Sequence, residues 1–339
     1  MKNVLVYCEA ENQKVAEISQ ELLSAGKKLA EKLGVQLEAM VFSNKLDKIQ
    51  TQITPYGVDK IYVADDKRLE PYTTLPHAEL ATHIIKQQTP QIVLFGATAT
   101  GRDLAPRIAS ALGCGLTADT TILEIGDHYV AKEKKEYKNL LYAIRPAFGG
   151  SIMANIINWD RFPQMATVRE GVMKNEIFDS NYQSEIEKID VNKLLNDTHF
   201  VVKILERKIE KSNVNLKDAP IIIAGGYGVG SKDNFNQLFE LADVLGGEVG
   251  GSRAAVDAGF IDHERQIGQT GVTVRPKLYV AAGISGAVQH TAGMQNAAMI
   301  ISINTDKDAP INQIADYILT GDLNEVIPKM IKAYKKNTK

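Results

Sequence analysis

Pro220-Ile221-Ile222-Ile223-Ala224-Gly225-Gly226-Tyr227-Gly228-Val229-Gly230-Ser231 is the stretch whose reading decides the fold. A short apolar run after a proline has the length of a buried strand, and the glycines behind it read as a tight turn. Beyond them Phe235, Leu238, Phe239, Ala242 and Leu245 recur at helical spacing, with Ser231 placed as the N-cap. Strand, glycine turn and helix in that order form one unit of a parallel sheet covered by helices. The turn is also a reasonable phosphate site, because glycine lets an anion approach the free N–H groups of a helix start. Gly226 and Gly228 supply GxG, but the third glycine of GxGxxG falls on Ser231, so the dinucleotide fingerprint is not matched.

The same alternation extends both ways. Downstream, strands are expected at 277–282 and 299–304. Pro310 should open a helix carrying Ile311, Ile314, Ala315, Ile318 and Leu319, and Pro328 should start the terminal one. Upstream, strands are expected at 4–8, 37–42, 60–63 and 92–95, with a helix over 13–33 and another around Leu80 to Ile85. From about Thr121 to Val168 the segments 129–132, 140–145 and 152–158 read as neighbouring strands with short connections, so part of this sheet is expected to be antiparallel. The result is an α/β protein of two domains. Residues 1–205 form a nucleotide-binding-like domain with a partly antiparallel sheet, and 206–339 form a parallel-sheet domain whose charge-rich 206–218 is the linker.

The length of 339 residues exceeds one ordinary domain of ~150. Lys+Arg (39) and Asp+Glu (41) nearly cancel, which argues against nucleic acid as the main partner. Only Cys8 and Cys114 occur, so there is no disulfide framework, and His77, His83, His128, His199 and His263 lack metal-ligand spacing. No run approaches the ~18 apolar residues of a membrane span. The chain opens on the strand-like Lys2-Asn3-Val4-Leu5-Val6-Tyr7 with no cleavable apolar segment ahead, so a cytoplasmic location is expected.

Further glycine loops flank the downstream strands: Gly246-Gly247-Glu248-Val249-Gly250-Gly251-Ser252-Arg253, Ile267-Gly268-Gln269-Thr270-Gly271, and Gly283-Ile284-Ser285-Gly286-Ala287-Val288-Gln289-His290. Their Ser, Thr, Gln, Arg and His side chains suit phosphates and an aromatic heterocycle at the carboxyl ends of strands. The run from Leu278 through Gly283-Ile284-Ser285-Gly286-Ala287-Val288-Gln289-His290-Thr291-Ala292-Gly293-Met294, continued by Ile301-Ser302-Ile303-Asn304, closely resembles the signature of the electron transfer flavoprotein alpha subunit. The similarity continues through Ser252-Arg253-Ala254-Ala255-Val256-Asp257-Ala258-Gly259, Gly268-Gln269-Thr270-Gly271 and Asp322-Leu323. Gly101-Arg102-Asp103-Leu104-Ala105-Pro106-Arg107 extends it to the first half.

The resemblance implies a heterodimer in which the first domain contacts a beta subunit and the second holds one FAD. By motif, Tyr227, Ser252, Ile267, Gly268, Gln269, Ser285, Gly286, Ala287, Val288, Gln289, Asn304, Asp322 and Leu323 would surround the FAD. Arg253, Thr270 and His290 would lie nearest the isoalloxazine. Reduction of a flavin adds negative charge, so Arg253 and a donating or protonated His290 would favour it, and Thr270 could donate or accept at N5. No catalytic residue or metal is called for, since the cofactor carries the electrons. One position departs from the pattern: Tyr227 stands where many members have the arginine of GGRG.

The implied role is electron transfer from acyl-CoA dehydrogenases or similar flavoproteins, as in fatty acid β-oxidation, to a downstream acceptor, with 206–218 as a hinge. An alternative is an electron-bifurcating form that oxidises NADH through a second FAD in the beta subunit, for which Arg275 near the flavin loops speaks. A redox-inactive structural subunit is the reading from another class, opposed by Arg253, Thr270 and His290.

Overall fold

The computed structural model describes residues 3–147, 152–208 and 214–337. Contacts divide the chain into two units, the first reaching Arg207 and the second running on from Lys208. In the first, β1 (Asn3–Cys8) is buried along its whole length. Its uninterrupted apolar run demands that of a central parallel strand. Val4, Val6 and Cys8 share a core with Ile18, Leu22 and Leu29 of α1 (Glu17–Leu33). Leu5 and Tyr7 point the other way, into a core with Leu80 and Ile84 of α2 (Thr74–Gln88) and Leu104 and Ile108 of α3 (Ala99–Leu112).

The next strands are β2 (Gln36–Ser43), β3 (Lys60–Asp65), β4 (Ile92–Gly96) and β5 (Leu116–Thr120). They are followed by β6 (Ile122–Val130), β7 (Lys135–Ala147), β8 (Ile152–Ile157), β9 (Gln164–Val168) and β10 (Glu185–Lys188). Among the described residues, the seven-stranded sheet runs β10-β3-β2-β1-β4-β9-β5 and every pairing in it is parallel. The antiparallel pairing expected after Thr121 is present, but in a separate sheet, β8-β7-β6. The tight turn between β6 and β7 forces antiparallel neighbours, whereas β9 returns beside β4 only after a long detour. The helix expected from residue 13 starts at Glu17, because Ala10–Glu11 and Lys14–Val15 pair as a small hairpin. The charge-rich stretch supplies the edge strand, where Glu185 and Glu187 bracket Lys60 at 2.8 and 2.9 Å. Of the expected linker, residues 209–213 lie outside the described residues. Before them, Arg207 Nη2 donates to Glu11 Oε2 at 3.1 Å, and after them Leu216 is buried in the second unit's core.

The second unit contains β11 (Ile221–Gly225), α4 (Phe235–Leu245), β12 (Glu248–Gly251) and α5 (Arg253–Asp257). β13 (Leu278–Ala282), β14 (Ile300–Asn304), β15 (Tyr317–Thr320) and α6 (Leu323–Asn337) follow. The sheet order β12-β11-β13-β14-β15 is parallel throughout. Ile223, Val280 and Ile303 pack on α4 and α6, while Tyr279 and Ala281 face Leu216, Met294 and Ile311.

Three expectations need correction here. Ser231 does not cap α4; its Oγ accepts from Asn234 N at 3.2 Å and closes the preceding turn. Pro310 opens a single 3-10 turn, Pro310–Gln313, and Ile318 and Leu319 beyond it fall in β15. The unpaired edge of β14 selects strand over helix: Asp316 N donates to Ile300 O, Ile300 N donates to Asp316 Oδ2, and Ile318 and Leu319 stay exposed. Finally, α6 starts at Leu323, ahead of Pro328, because Asp322 Oδ1 accepts from Asn324 N and provides the cap.

One close approach positions α3 in the first unit. A Cβ on Gly101 would lie 1.8 Å from the carbonyl oxygen of Gly96. Gly101→Ala is therefore expected to cost about 3 kcal/mol of stability. Denaturant unfolding reads this directly, and an unchanged midpoint would mean that the helix does not pack against β4 at this distance.

Candidate functional site

The loops leaving β11 and β13 meet backbone to backbone. Gly226 N donates to Ala282 O at 2.9 Å and Gly228 N to Gly283 O at 3.1 Å. A Cβ on Gly226 would sit 2.1 Å from Gly283 O, so only glycine allows the contact. Next to it, at the carboxyl ends of the strands, opens a groove of about 570 Å³. Tyr227, Ser252, Ser285, Asn304, Asp322 and Leu323 all line it. Ser252 Oγ accepts from Ala255 N at 3.4 Å, which leaves its own proton to donate. Asn304 is held rigidly, its Nδ2 donating to Ile284 O and its Oδ1 accepting from Asp306 N.

The remaining expected residues, Arg253 excepted, belong to two interlocked loops outside the groove lining. Gln269 N donates to Gln289 O at 2.7 Å, and Gly268, at φ +141°, has that same oxygen 2.8 Å from where a Cβ would stand. Gly286, at φ +89°, packs its backbone against Ile311 N. Ile267, Gly268, Gly286 and His290 are buried supports, while Gln269, Thr270, Ala287, Val288 and Gln289 present an exposed ridge. Arg253 is exposed at the start of α5, its Nε 3.4 Å from Asp257 Oδ2. Thr270 Oγ1 accepts from Gln266 Nε2 at 3.0 Å, so its hydroxyl proton remains available.

His290 differs from the sequence expectation of a donating or protonated imidazole. It is 6% exposed, and both ring nitrogens are engaged. Nδ1 lies 3.1 Å from Ile267 O and Nε2 2.9 Å from Tyr279 Oη. A carbonyl can only accept, so Nδ1 carries the proton and Nε2 accepts from the tyrosine. Burial, only partly opposed by the Ile267 carbonyl, lowers its pKa to about 4. The imidazole is thus a neutral pin between the two loops.

Two supporting contacts were not expected from the sequence. Phe260 stacks on the exposed Tyr227 with ring centroids 5.8 Å apart at 25°, and Tyr279 sets the His290 tautomer.

Residues 4–194 match the electron transfer flavoprotein domain, and residues 215–295 match the electron transfer flavoprotein FAD-binding domain. The chain is 46% identical over 336 residues to the electron transfer flavoprotein subunit alpha of Thermoanaerobacterium thermosaccharolyticum, covering 99% of this chain and 98% of that one. It is 43% identical to the subunit of the same name from Clostridium acetobutylicum, covering 98% and 97%. It is also 39% identical to the acryloyl-CoA reductase electron transfer subunit beta of Anaerotignum propionicum, covering 99% and 96%. The chain belongs to the electron transfer flavoprotein alpha-subunit family.

FAD is the cofactor of this electron transfer flavoprotein subunit, and the groove fits it. Its volume lies within the ~300–1,000 Å³ usual for ligand pockets. Bare glycine backbone and serine hydroxyls suit a diphosphate, while the exposed ridge offers hydrogen-bonding groups to a heterocycle. Among the described residues, no helix is long and apolar enough to cross a membrane.

Two expectations follow from this flavoprotein site. Tyr227→Arg is expected to tighten FAD binding about tenfold, because it places a cation at the rim of the groove; an unchanged FAD dissociation constant would show that this position does not set the grip. His290 is expected to remain neutral with its proton on Nδ1 at pH 5.5. The unfolded chain binds a proton below about 6.5 that the fold refuses until about 4, so His290 makes stability fall as pH drops through that window. The slope is about 1.4 kcal/mol per pH unit. Imidazole nitrogen shifts by NMR check both statements, and an imidazolium at pH 5.5 would refute them.

Proposed function

We propose that this chain is the alpha half of an alpha–beta heterodimer that takes electrons from flavoprotein dehydrogenases, acyl-CoA dehydrogenases among them, and delivers them to a downstream acceptor in the cytoplasm. The observation that carries this reading is the pairing of a glycine-walled groove with an exposed ridge on one sheet end. In it the FAD diphosphate lies against the bare Gly226 to Gly228 turn and is held by the Ser252 and Ser285 hydroxyls, and Asn304, Asp322 and Leu323 complete the groove. Arg253, Gln269, Thr270 and Ala287 to Gln289 face the flavin, and Ile267, Gly268, Gly286 and His290 support that surface from below. The link around 206–218 acts as the hinge of the second domain, and the first domain contacts the beta subunit. The name of the Anaerotignum relative, which includes acryloyl-CoA reductase, supports an acyl-CoA-type partner.

Bound FAD supplies the reversible uptake of electrons. The protein's part is electrostatic. With His290 neutral and both its nitrogens engaged, the positive charge that favours a reduced, anionic ring comes from Arg253, whose exposed partner Asp257 neutralises it only in part. Thr270 holds its hydroxyl proton free to donate, since its oxygen already accepts from Gln266. Gln266 is itself buried, so that hydroxyl is fixed in place.

Anaerobic reductive titration of the natively purified heterodimer tests the proposal. One FAD per heterodimer, reduced stepwise by dithionite or by a reduced acyl-CoA dehydrogenase and indifferent to NADH, is expected. Two FADs reduced by NADH would replace the reading with electron bifurcation. A complex that neither contains nor takes up flavin would leave a structural subunit.

A further inference from the structure

The first unit has a cleft of its own that electron carriage does not use. It measures about 580 Å³ and opens beyond the carboxyl ends of β1, β2 and β4. Strand order reverses between β1 and β4, with β2 and β3 on one side and β9 and β5 on the other. That reversal is where open α/β sheets take ligands.

Its chemistry is specific. Glu9 follows directly on β1, and its Oε1 accepts from Thr98 Oγ1 at 2.7 Å, while Oε2 accepts from no described residue. The second inner carboxylate, Glu70, already accepts from Asn12 N at Oε1 and from Ser43 Oγ and Asn44 N at Oε2. Burial holds the Glu9 carboxyl up at about 7; the Thr98 hydrogen bond opposes this and the charge of Glu170 adds to it. Tyr72 contributes part-exposed aromatic surface to the wall, with Tyr7 and Phe42 buried behind it.

Charge then decides between ligand classes. The lining carries Glu9, Glu11, Glu70 and Glu206 against Lys14 and Arg207, and Arg207 is taken up by Glu11. The connection from β1 to α1 contains no glycine between Glu9 and Ala16 and folds into a hairpin, so it forms no phosphate-cradling loop. A phosphate here would meet mostly carboxylates.

We propose that this cleft binds an uncharged nucleoside, whose amino or ribose hydroxyl groups donate to Glu9 Oε2 beside the ring of Tyr72, and that it rejects the phosphorylated forms. The binding is independent of the FAD groove and of the electron-transfer reading.

Calorimetric titration of the purified alpha–beta complex with adenosine and with AMP tests it. One adenosine per alpha chain is expected, with AMP at least tenfold weaker. Glu9→Gln should weaken adenosine at least tenfold without changing flavin content. Should that buried substitution disturb folding, Thr100→Trp at the cleft's edge is expected to block adenosine by bulk alone. Absence of adenosine binding, AMP binding as tight as adenosine, or adenosine affinity that survives a folded variant of either kind would overturn the proposal.

Discussion

The second unit is organised around a contact between two glycine-bearing loops with no side chains between them. Gly226 and Gly228 lie against Gly283, and N–H groups of the first loop bond to carbonyls of the second and of the strand beneath it. A methyl group at Gly226 would collide with backbone, which cannot move aside as a side chain can. The groove beside this contact exists because the loops are drawn together at one point and free to diverge beyond it. The bare backbone wall of the groove descends from that constraint.

The ridge is fixed by the same means one layer out. Gly268 presses on the Gln289 carbonyl, Gly286 on Ile311, and His290 bonds across to Ile267. A neutral histidine suits this role better than a charged one. A buried imidazolium would need a counter-charge, whereas tyrosine, imidazole and carbonyl satisfy one another without any. The first unit repeats the device with Tyr7, His77 and the Leu69 carbonyl, and burial there also holds His77 down to about 4. Each α/β unit thus places a tyrosine from a central strand against a histidine that ties a loop to the sheet.

The two units handle their carboxyl-end loops differently. In the second, glycine removes side chains so that backbone can line a ligand groove. In the first, glycine at position 101 brings a helix onto the strand instead, and the loop after β1 is a hairpin bearing acids. The shared sheet pattern therefore does not imply shared ligand chemistry, because the loops alone decide the charge and the exposed backbone.

The buried strands, the glycine turns and the family signature from Leu278 to Asn304 were determined by sequence alone, since unbroken apolar runs and positive-φ glycines are local requirements. So was the FAD assignment, which rests on a long contiguous motif. Tertiary structure decided the rest. Residues 317–320 have helical spacing with Pro310 ahead of them, yet they pair with β14 because its edge lacked a partner. The antiparallel strands separate into their own sheet because turn length fixes strand direction but says nothing about sheet membership. His290 could be placed near the flavin loops from its motif, but its charge state depended on Tyr279 and on burial. Phe260 behind Tyr227 had no signal whatever. Local patterns specify what one segment requires, whereas protonation, sheet partnership and stacking belong to pairs of segments that only folding brings together.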